Sequence, residues 1–453
     1  MIRVRLKFLT CALAALTFPA TVWATNGYFS HGTSIAEKGM AGAGVAFSQD
    51  TLAASNNPAG MVWQGSRYDI GVAVFAPDRS YTAKGGPAPG CDPVTGGCPF
   101  SIGPQDKDSD NDFFLIPQFG YNWVIDDDST VGISIFGNGG LNTEYDGGTA
   151  TLWPAGQAGG PVTLPGTFGD RTAGVDLAQM FLAATYARKI TENSSFGISG
   201  IGVYQRFRAK GLDNFAGFSQ DAENLSDNGY DHSTGLGVRV GVQAEIVPGW
   251  RIGAAYQPKI DMDEFDDYSG LFAEDGDFDI PSNFTVGLAV DIGKTGVLVV
   301  DVQQINYEDV DAVSNSISSL TDGSCAAGPG VGTGDGCLGG SDGAGFGWED
   351  MTVVKVGFQW DYFDTTWRVG YSTGDQPIPD DETLFNILAP GVIEEHFTAG
   401  FTKQLDDDSS FNFAAMYAPN KSVKGDSPFD PMQEIEIEMD QWELAWSYSR
   451  NIR

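Results

Sequence analysis

Hydrophobic and polar residues alternate with a period of two along most of the chain. In residues 234–246, aliphatic side chains at even positions from Leu236 to Ile246 alternate with polar residues or glycine. This period gives a β-strand one apolar and one polar face. The pattern predicts fourteen strands, at 68–74, 113–125, 131–135, 174–188, 195–208, 234–246, 250–260, 284–290, 296–306, 354–360, 366–372, 397–401, 411–417 and 442–448. We therefore expect an all-β protein.

The connections between these strands alternate in length. Six are short, such as the turn at 126–129, and seven are long, including roughly 77–112, 307–350 and 419–434. Outer-membrane barrels show this asymmetry, with tight periplasmic turns, long external loops and an even number of strands. A soluble sandwich or propeller shares the period but gives no reason for regularly alternating loops. Residues 66–453 are therefore predicted to form a fourteen-stranded antiparallel transmembrane barrel.

Cations within the strands predict which face points inward. A Lys or Arg that faces mid-bilayer lipid costs about 2 to 4 kcal/mol, so these side chains should face the lumen. In strand 195–208, this assigns to the lipid face Ile201, Val203 and Phe207. The residues predicted to face the lumen are Tyr204, Arg206, Arg208, Arg239, Lys355 and Arg368.

The first 65 residues lack the strand pattern. Residues 1–24 combine a positive start, an apolar run at Phe8–Phe18 and small side chains around Ala24, which predicts a cleaved secretory signal peptide. Residues 25–65 are rich in small side chains, and Thr33–Phe47 is predicted to be helical. Because this segment precedes the first strand, we interpret residues 25–65 as a hatch inside the barrel.

Composition narrows the choice of partners. The chain carries 60 Asp and Glu against 25 Lys and Arg, for a formal net charge of -35. This charge argues against nucleic acid, which needs a basic face, and against docking on anionic lipid through a basic patch. With only three histidines, none beside a cysteine, we expect no metal site and no cofactor.

Four cysteines remain after the predicted signal peptide. Each neighbouring pair lies within one Gly- and Asp-rich segment, which favours pairing Cys91 with Cys98 and Cys325 with Cys337. Secretion permits such disulfides, although four cysteines allow three connectivities.

Several motifs resemble one known family. The chain is similar to the FadL-type long-chain fatty-acid channels, including hydrocarbon channels of the TodX kind, at Thr25–Phe29, Lys38–Ala46, Asn57–Met61, Phe136–Tyr145, Asp279–Asn283 and Ala389–Gly391. The resemblance implies a fourteen-stranded barrel with an N-terminal hatch in the outer membrane of a Gram-negative bacterium. It also implies that hydrophobic ligands are captured by external loops, bound in the lumen, and released sideways beside a kinked third strand after the hatch moves.

The same resemblance suggests gating residues and partners. The expected gating residues are Tyr28, Phe29, Asn57, Pro58, Ala59, Gly137, Asn138, Gly139 and Gly140. Glycines at 137, 139 and 140 favour a bend in the third strand. The expected partners are a long-chain fatty acid or hydrocarbon, outer-membrane lipid and lipopolysaccharide, and the barrel-assembly machinery, with the protein acting as a monomer.

Apolar residues in the predicted external loops are candidates for ligand contact. They are Leu212, Phe215, Phe218, Leu271 and Phe272. An alternative is that they only pack each loop against itself. A buried fatty-acid carboxylate needs a cation as partner. We predict that Arg206, Arg208 and Lys355 supply it, with Tyr204 as a hydrogen-bonding neighbour. The alternative is that these cations form ion pairs with acidic residues of the lumen.

Other functions have weaker support in the sequence. The G-x-S-x-G match at Gly370–Gly374 is followed by a proline-containing segment rather than a helix, so we predict no enzyme activity. Neutral alkane or aromatic hydrocarbons are alternative substrates, and a general porin is a further alternative. Acidic loop segments such as 261–267 match no defined calcium loop.

Overall fold

A closed antiparallel barrel forms most of the structure, a computed structural model that describes residues 26–87, 100–152 and 161–452. We number its strands β1 (Arg67–Gly85), β2 (Phe114–Asp126), β3 (Ser129–Tyr145), β4 (Ala173–Thr191), β5 (Ser194–Phe207), β6 (Asp231–Val247), β7 (Trp250–Gln257), β8 (Asn283–Ile292), β9 (Gly296–Ile305), β10 (Met351–Tyr362), β11 (Thr365–Gly374), β12 (Glu395–Gln404), β13 (Ser409–Ser427) and β14 (Asp430–Asn451). β1 pairs with β14 from Arg67↔Asn451 to Gly85↔Gln433, which closes the wall. The predicted fourteen-stranded barrel is confirmed.

Several short strands lie outside the fourteen strands of the barrel wall. The strands Gln105–Asp108 and Ala209–Lys210 extend the barrel sheet. A separate three-stranded sheet lies in the loops and consists of Phe100–Ile102, Thr149–Leu152 and Val162–Pro165. No helix among the described residues is long and apolar enough to cross a membrane. The predicted signal peptide at 1–24 lies outside the described residues.

The period-two pattern separates the two faces of the wall. On β6, Leu236 is 86 % exposed, whereas Arg239 is 5 % exposed and donates a hydrogen bond to the side chain of Gln257 in the interior. Aliphatic residues on the outside need no polar partner in lipid, and polar residues on the inside meet other protein groups. The wall therefore carries an apolar outer surface around a polar interior.

The connections follow the predicted alternation with one exception. We predicted a long loop at 419–434, but β13 and β14 continue through this region and leave only 428–429 between them. Inward Val423, Ile435 and Ile437 are buried there. Charged residues cover the opposite face of the two strands, including the Lys424–Glu434 ion pair at 2.7 Å. The period-two pattern thus continues through 419–434, although the many charged residues in this range are typical of loops.

The N-terminal segment, residues 26–65, contains little regular structure. The predicted helix at Thr33–Phe47 is wrong, because only Ile35–Lys38 forms a helical turn. The chain turns instead at Gly42, whose φ of +77° favours glycine and whose added Cβ would lie 1.9 Å from the His31 carbonyl oxygen. Two 3₁₀ turns follow, at Ala53–Ser55 and Pro58–Trp63.

This segment contacts the inward face of the wall on several sides. Lys38 forms an ion pair with Glu443 of β14 at 2.6 Å, and both side chains are buried. The Gly44 amide donates to Asp301 of β9 at 2.7 Å, and Asn122 of β2 donates to the Met61 carbonyl at 3.0 Å. Contacts with such distant strands mean that the N-terminal segment lies in the lumen.

We expect long connections to be external and short connections to be periplasmic. An epitope tag inserted after Gly330, which is exposed in the β9–β10 connection, should be labelled on intact cells. A tag at Asp407, in the short β12–β13 connection, should be labelled only after the outer membrane is opened. Labelling of the Asp407 tag on intact cells would reverse the orientation.

Candidate functional site

An apolar cavity lies beneath the external loops. Four of the five loop residues predicted to contact ligand line it: Leu212, Phe215, Leu271 and Phe272. Two inward residues of the wall, Val175 and Phe207, also line the cavity. The remaining lining residues lie in the loops and are Ala312, Leu338, Ala344, Gly345, Phe346, Phe385 and Leu388. None of these lining residues is charged. The fifth predicted residue, Phe218, packs beside the cavity against Phe429, with ring centroids 5.4 Å apart.

Aromatic rings hold the cavity walls together. Phe207 of β5 contacts Phe272, with ring centroids 4.7 Å apart, and Phe272 contacts Phe278 at 4.9 Å. Phe215 meets Phe385 from another loop at 5.4 Å. Such ring pairs contribute about 0.5–1.5 kcal/mol each beyond the area they bury. The loop residues therefore pack against the wall and each other while surrounding the cavity.

The cavity is too small to hold a ligand in this structure. Its volume of about 30 Å³ is far below the roughly 150 Å³ of an engineered cavity that admits benzene. A ligand must therefore displace side chains to occupy it. Rings on the loops can move more readily than inward residues of paired strands, since the strands are held by backbone ladders.

The barrel wall opens between β2 and β3. Their pairing extends only from Asp126↔Ser129 to Phe119↔Ile135. The remaining residues of β2, 114–118, pair with β1 but not with β3. Beyond residue 135, β3 forms ladder pairs with β4 only. The backbone N–H and C=O groups on the edge of β3 that faces β2 are therefore available to residues outside the barrel ladder. This unpaired stretch is a gap in the wall ladder.

The predicted bend of β3 lies beside this gap. The β3–β4 register shifts between Gly137 and Gly140, where three steps on β3 match two on β4. Such a bulge bends a strand, and glycine tolerates the irregular backbone. Asn138 donates a side-chain hydrogen bond to Gln179 of β4 at 3.1 Å, which spans the bulge from inside.

The start of the N-terminal segment binds to the bulge. The Tyr28 carbonyl accepts from the Gly140 amide at 3.0 Å, and the Ser30 amide donates to the Asn138 carbonyl at 3.0 Å. Phe29 thereby forms a bridge with Gly139. A Cβ on Gly139 would lie 2.0 Å from the Tyr28 carbonyl oxygen. Five residues predicted to gate the channel, Tyr28, Phe29, Asn138, Gly139 and Gly140, thus meet at one contact.

An aromatic cluster fixes the other side of this N-terminal start. The Tyr28 amide donates to the Tyr307 hydroxyl at 3.2 Å, and that hydroxyl donates to the Asn26 carbonyl. Burial raises the pKa of Tyr307, which keeps the hydroxyl protonated and able to donate. Trp348 packs edge-on against Tyr307, with ring centroids 5.1 Å apart, and donates to Asn386 at 2.6 Å.

A second cavity lies next to the gap. Its lining residues are Phe75, Pro77, Arg79, Phe114, Gly140, Leu141, Asn142, Ala389, Pro390, Gly391 and Met439. The segment 388–391 separates the two cavities, because Leu388 lines the loop cavity and Ala389 lines the gap cavity. Thr143 of β3 donates to the Leu388 carbonyl at 2.8 Å and holds this segment against the bent strand.

The motif Asn57, Pro58 and Ala59 anchors the N-terminal segment elsewhere. Asn57 donates to the Val242 carbonyl of β6 at 3.0 Å, and Ser195 of β5 donates to the Ala59 carbonyl at 2.9 Å. Pro58 lies so close to the wall that a Cβ on Gly197 would be 2.3 Å from its carbonyl carbon. These residues contact β5 and β6 rather than the bulge of β3.

The structure reverses the phase predicted for β5. Ile201, Val203 and Phe207 are buried on the inner face, whereas Tyr204 is 40 % exposed on the outer face and contacts His232. From Phe196 to Tyr204 the outer face spans eight steps between residues, or about 26 Å along a strand, close to the height of an apolar band once the tilt is included. Arg206 then lies at the edge of the membrane.

The cations near that edge have partners on the outer face. Arg206 lies 3.6 Å from Asp176, and Arg208 lies 3.9 Å from Glu144. Both guanidinium groups lie 4.5 Å from the ring centre of Tyr230. Because the cost of a lipid-facing cation falls to about 0–1 kcal/mol near the interface, the rule used to set the phase does not apply there. The prediction that these residues face a lumenal ligand is wrong.

The remaining predicted cation, Lys355, does face inward but lies against the N-terminal segment. It donates to the His31 carbonyl at 3.0 Å and is opposite Asp301 in the β9–β10 register. It lines a polar cavity with Arg239 and Glu37, apart from both apolar cavities. The structure therefore gives Lys355 contacts that hold the N-terminal segment.

We expect removal of Arg206 and Arg208 to leave head-group selectivity unchanged. The double variant Arg206→Ala/Arg208→Ala removes charges from the outer face, away from both apolar cavities. The ratio of hexadecanoate affinity to hexadecane affinity, measured by titration of purified protein, should stay within about twofold of wild type. A selective loss of hexadecanoate binding would contradict the placement of these arginines.

The cysteines and the G-x-S-x-G match have structural surroundings. Cys325 and Cys337 form a disulfide in the β9–β10 connection, whereas Cys91 and Cys98 lie outside the described residues. Ser372 is 3.0 Å from His396 Nδ1, but it lies within strand β11, paired with β12, instead of on a turn into a helix.

Sequence reasoning missed Arg79, Tyr307 and Trp348. The period-two pattern continues past residue 74, so that Arg79 falls on the inner face of β1 with Phe75 and Tyr81. That continuation is the signal that identifies Arg79. The positions of Tyr307 and Trp348 depend on how the long β9–β10 connection folds over the N-terminal segment, for which the sequence shows no periodic signal.

The closed fourteen-stranded wall, its lumenal N-terminal segment and its apolar cavities define an outer-membrane transport channel. The sequence model of a family described as outer membrane protein transport protein (OMPP1/FadL/TodX) matches residues 16–440. The chain belongs to this family, whose members are channels for hydrophobic ligands and not enzymes. Its location is the outer membrane of a Gram-negative bacterium.

Solved structures support the same fold. The toluene transporter TodX of Pseudomonas putida is 18% identical, with a TM-score of 0.62, over 93% of this chain and 99% of that chain. A FadL homologue of Pseudomonas aeruginosa is 14% identical, with a TM-score of 0.62, over 94% and 100%. The toluene transporter TbuX of Ralstonia pickettii is 17% identical, with a TM-score of 0.59, over 93% and 99%. A search of curated proteins found no match.

Proposed function

We propose that the channel takes up long-chain fatty acids by loop capture, lumenal binding, movement of the N-terminal segment and lateral exit beside β3. The observation that carries this proposal is the pair of apolar cavities on the two sides of segment 388–391. One cavity lies beneath the external loops, and the other lies at the gap in the wall. An apolar ligand transferred between them avoids the polar lumen below, where desolvating polar groups is costly.

The N-terminal segment acts as a hatch in this proposal. Its first residues bind the β3 bulge through two backbone hydrogen bonds and touch the aromatic cluster of Tyr307 and Trp348. Gly391 lies against Trp348 and Gly27, so segment 388–391 and the start of the hatch both contact the aromatic cluster. Displacing Tyr28 and Phe29 would free both the bulge and this surface. This displacement breaks two backbone hydrogen bonds and the ring contacts of Tyr28, and it leaves the barrel ladder intact.

Neutral hydrocarbons are the second candidate substrates. The loop cavity has no charged lining residue, so its walls recognise an apolar chain or ring without a head group. The TodX and TbuX structures are of toluene transporters, which makes an aromatic substrate a direct alternative. The first capture step therefore suits both classes equally.

Uptake by cells that lack their own channel tests the proposal. We expect expression of this protein to increase entry of labelled hexadecanoate or of labelled toluene at least about tenfold over the empty vector, because a lipopolysaccharide leaflet resists apolar solutes. In planar bilayers the purified protein should pass little ionic current, since its lumen is filled. Large steady conductance without hydrophobic uptake would favour a general porin.

A further inference from the structure

A buried arginine lies at the gap between β2 and β3. Arg79 is on the inner face of β1, is 5 % exposed, and lines the gap cavity. Its guanidinium lies over the ring of Phe114, the first residue of β2, at 5.5 Å. Among the described residues that line the cavity, Arg79 is the only one with a charged side chain.

The hydrogen-bond partners of this arginine are neutral, and the charges of Asp78 and Asp112 act on it only from beyond ion-pair distance. Its Nη1 donates to the Asn142 carbonyl and its Nη2 donates to the Asn111 carbonyl, both neutral backbone groups. Its buried Nε has no hydrogen-bond acceptor in the part of the chain that the structure describes. None of the ion pairs among the described residues includes it. A buried charge is costly unless it is paired at close range, so this site favours binding of an anion.

The contacts of Arg79 also span the opening. The arginine belongs to β1 and Asn142 belongs to β3, so their hydrogen bond crosses the stretch where β2 and β3 do not pair. The guanidinium therefore borders the opening and the cavity beside it. An anionic head group can replace the carbonyl contacts of Arg79 with stronger charge-assisted hydrogen bonds, including one to the free Nε.

We propose that Arg79 binds the carboxylate of a long-chain acid at the wall opening, with the alkyl chain in the apolar part of the gap cavity. The apolar surface next to the guanidinium comes from Phe75, Phe114, Leu141 and Met439. This inference rests on the proposed uptake function and assigns its substrate class. Capture in the loop cavity depends on the chain, and discrimination between acids and neutral hydrocarbons occurs at Arg79.

The test measures binding of hexadecanoate, hexadecanol and hexadecane to purified protein in detergent. For the wild type we expect hexadecanoate to bind about 10- to 100-fold more tightly than hexadecanol, the range of a charge-assisted hydrogen bond. Arg79→Gln should remove that preference and leave hexadecane affinity unchanged. Arg79→Lys should retain part of it, because lysine keeps the charge without the planar fork. Arg206→Gln, on the outer face, is the matched control and should behave as wild type.

Each outcome decides a different point. Equal binding of hexadecanoate and hexadecanol by the wild type overturns the role of Arg79, and this result does not depend on whether a variant folds. An equal loss of all three ligands in Arg79→Gln, with a folded barrel by circular dichroism, also overturns it and leaves Arg79 as a latch between strands. If the wild type binds none of the three ligands and transports none, the proposed uptake function fails instead.

Discussion

Replacing the three glycines of the β3 bulge with valine should reduce uptake at least about tenfold while the barrel still forms. Valine favours a regular paired strand, whereas glycine permits the bulge between Gly137 and Gly140. At residue 139 the new side chain also collides with the Tyr28 carbonyl, since even a Cβ would lie 2.0 Å away. The triple variant Gly137→Val/Gly139→Val/Gly140→Val therefore narrows the exit and disturbs the hatch contact.

Strand β5, on the far side of β4, provides a matched control for these valines. Gly200 and Gly202 of β5 face outward with open space around an added Cβ. Gly200→Val/Gly202→Val should fold and transport as wild type does. Initial uptake rates of labelled hexadecanoate, normalised to heat-modifiable barrel in the membrane, measure both variants. Unchanged uptake by the bulge variant would contradict lateral exit of the ligand beside β3.

The second large effect concerns the loop cavity. Phe272→Asp should weaken binding of hexadecanoate and of toluene at least about 100-fold, because a carboxylate in an apolar cavity either keeps water bound or costs several kcal/mol to bury. Phe272 is 4 % exposed and contacts Phe207, Phe265 and Phe278. Its loss therefore changes the lining of the cavity and the packing of the loops together.

Phe363→Asp is the control for this charge. Phe363 is 87 % exposed in the short β10–β11 connection, on the opposite end of the barrel. Binding measured by tryptophan fluorescence titration should be unchanged in Phe363→Asp and greatly weakened in Phe272→Asp. Equal affinity in both variants would show that ligands bypass the loop cavity.

The strands were predictable from sequence because their period-two pattern reflects a physical boundary between lipid and lumen. Leu236 and Arg239, three residues apart, fall on opposite faces for this reason. The phase of β5 was not predictable from its cations alone, because Arg206 lies at the membrane edge, where the cost that sets the phase is small. The depth of a residue in the membrane depends on how the whole barrel is placed in the bilayer, and the sequence of one strand does not determine it.

The candidate site was predictable only in part. Phe215 and Phe272 stand out because apolar residues in external loops need a partner, and both line the cavity. Arg79 did not stand out, because its proposed role depends on its surroundings: an apolar cavity, two carbonyl groups and, among the described residues, no acid within ion-pair distance. Those surroundings come from β1, β3 and the segment after β11, which only the folded barrel brings together.

The central claim is that a hydrophobic ligand passes from the loop cavity to the gap beside β3. Photolabelling with hexadecanoate that carries a diazirine near the end of its chain, followed by mass spectrometry of the labelled peptides, tests this path directly. The account predicts adducts in two groups, one at Phe207 and Phe272 and one at Phe114 and Leu141, both suppressed by excess unlabelled ligand. Adducts confined to lipid-facing residues such as Leu236, with neither cavity labelled, would contradict it.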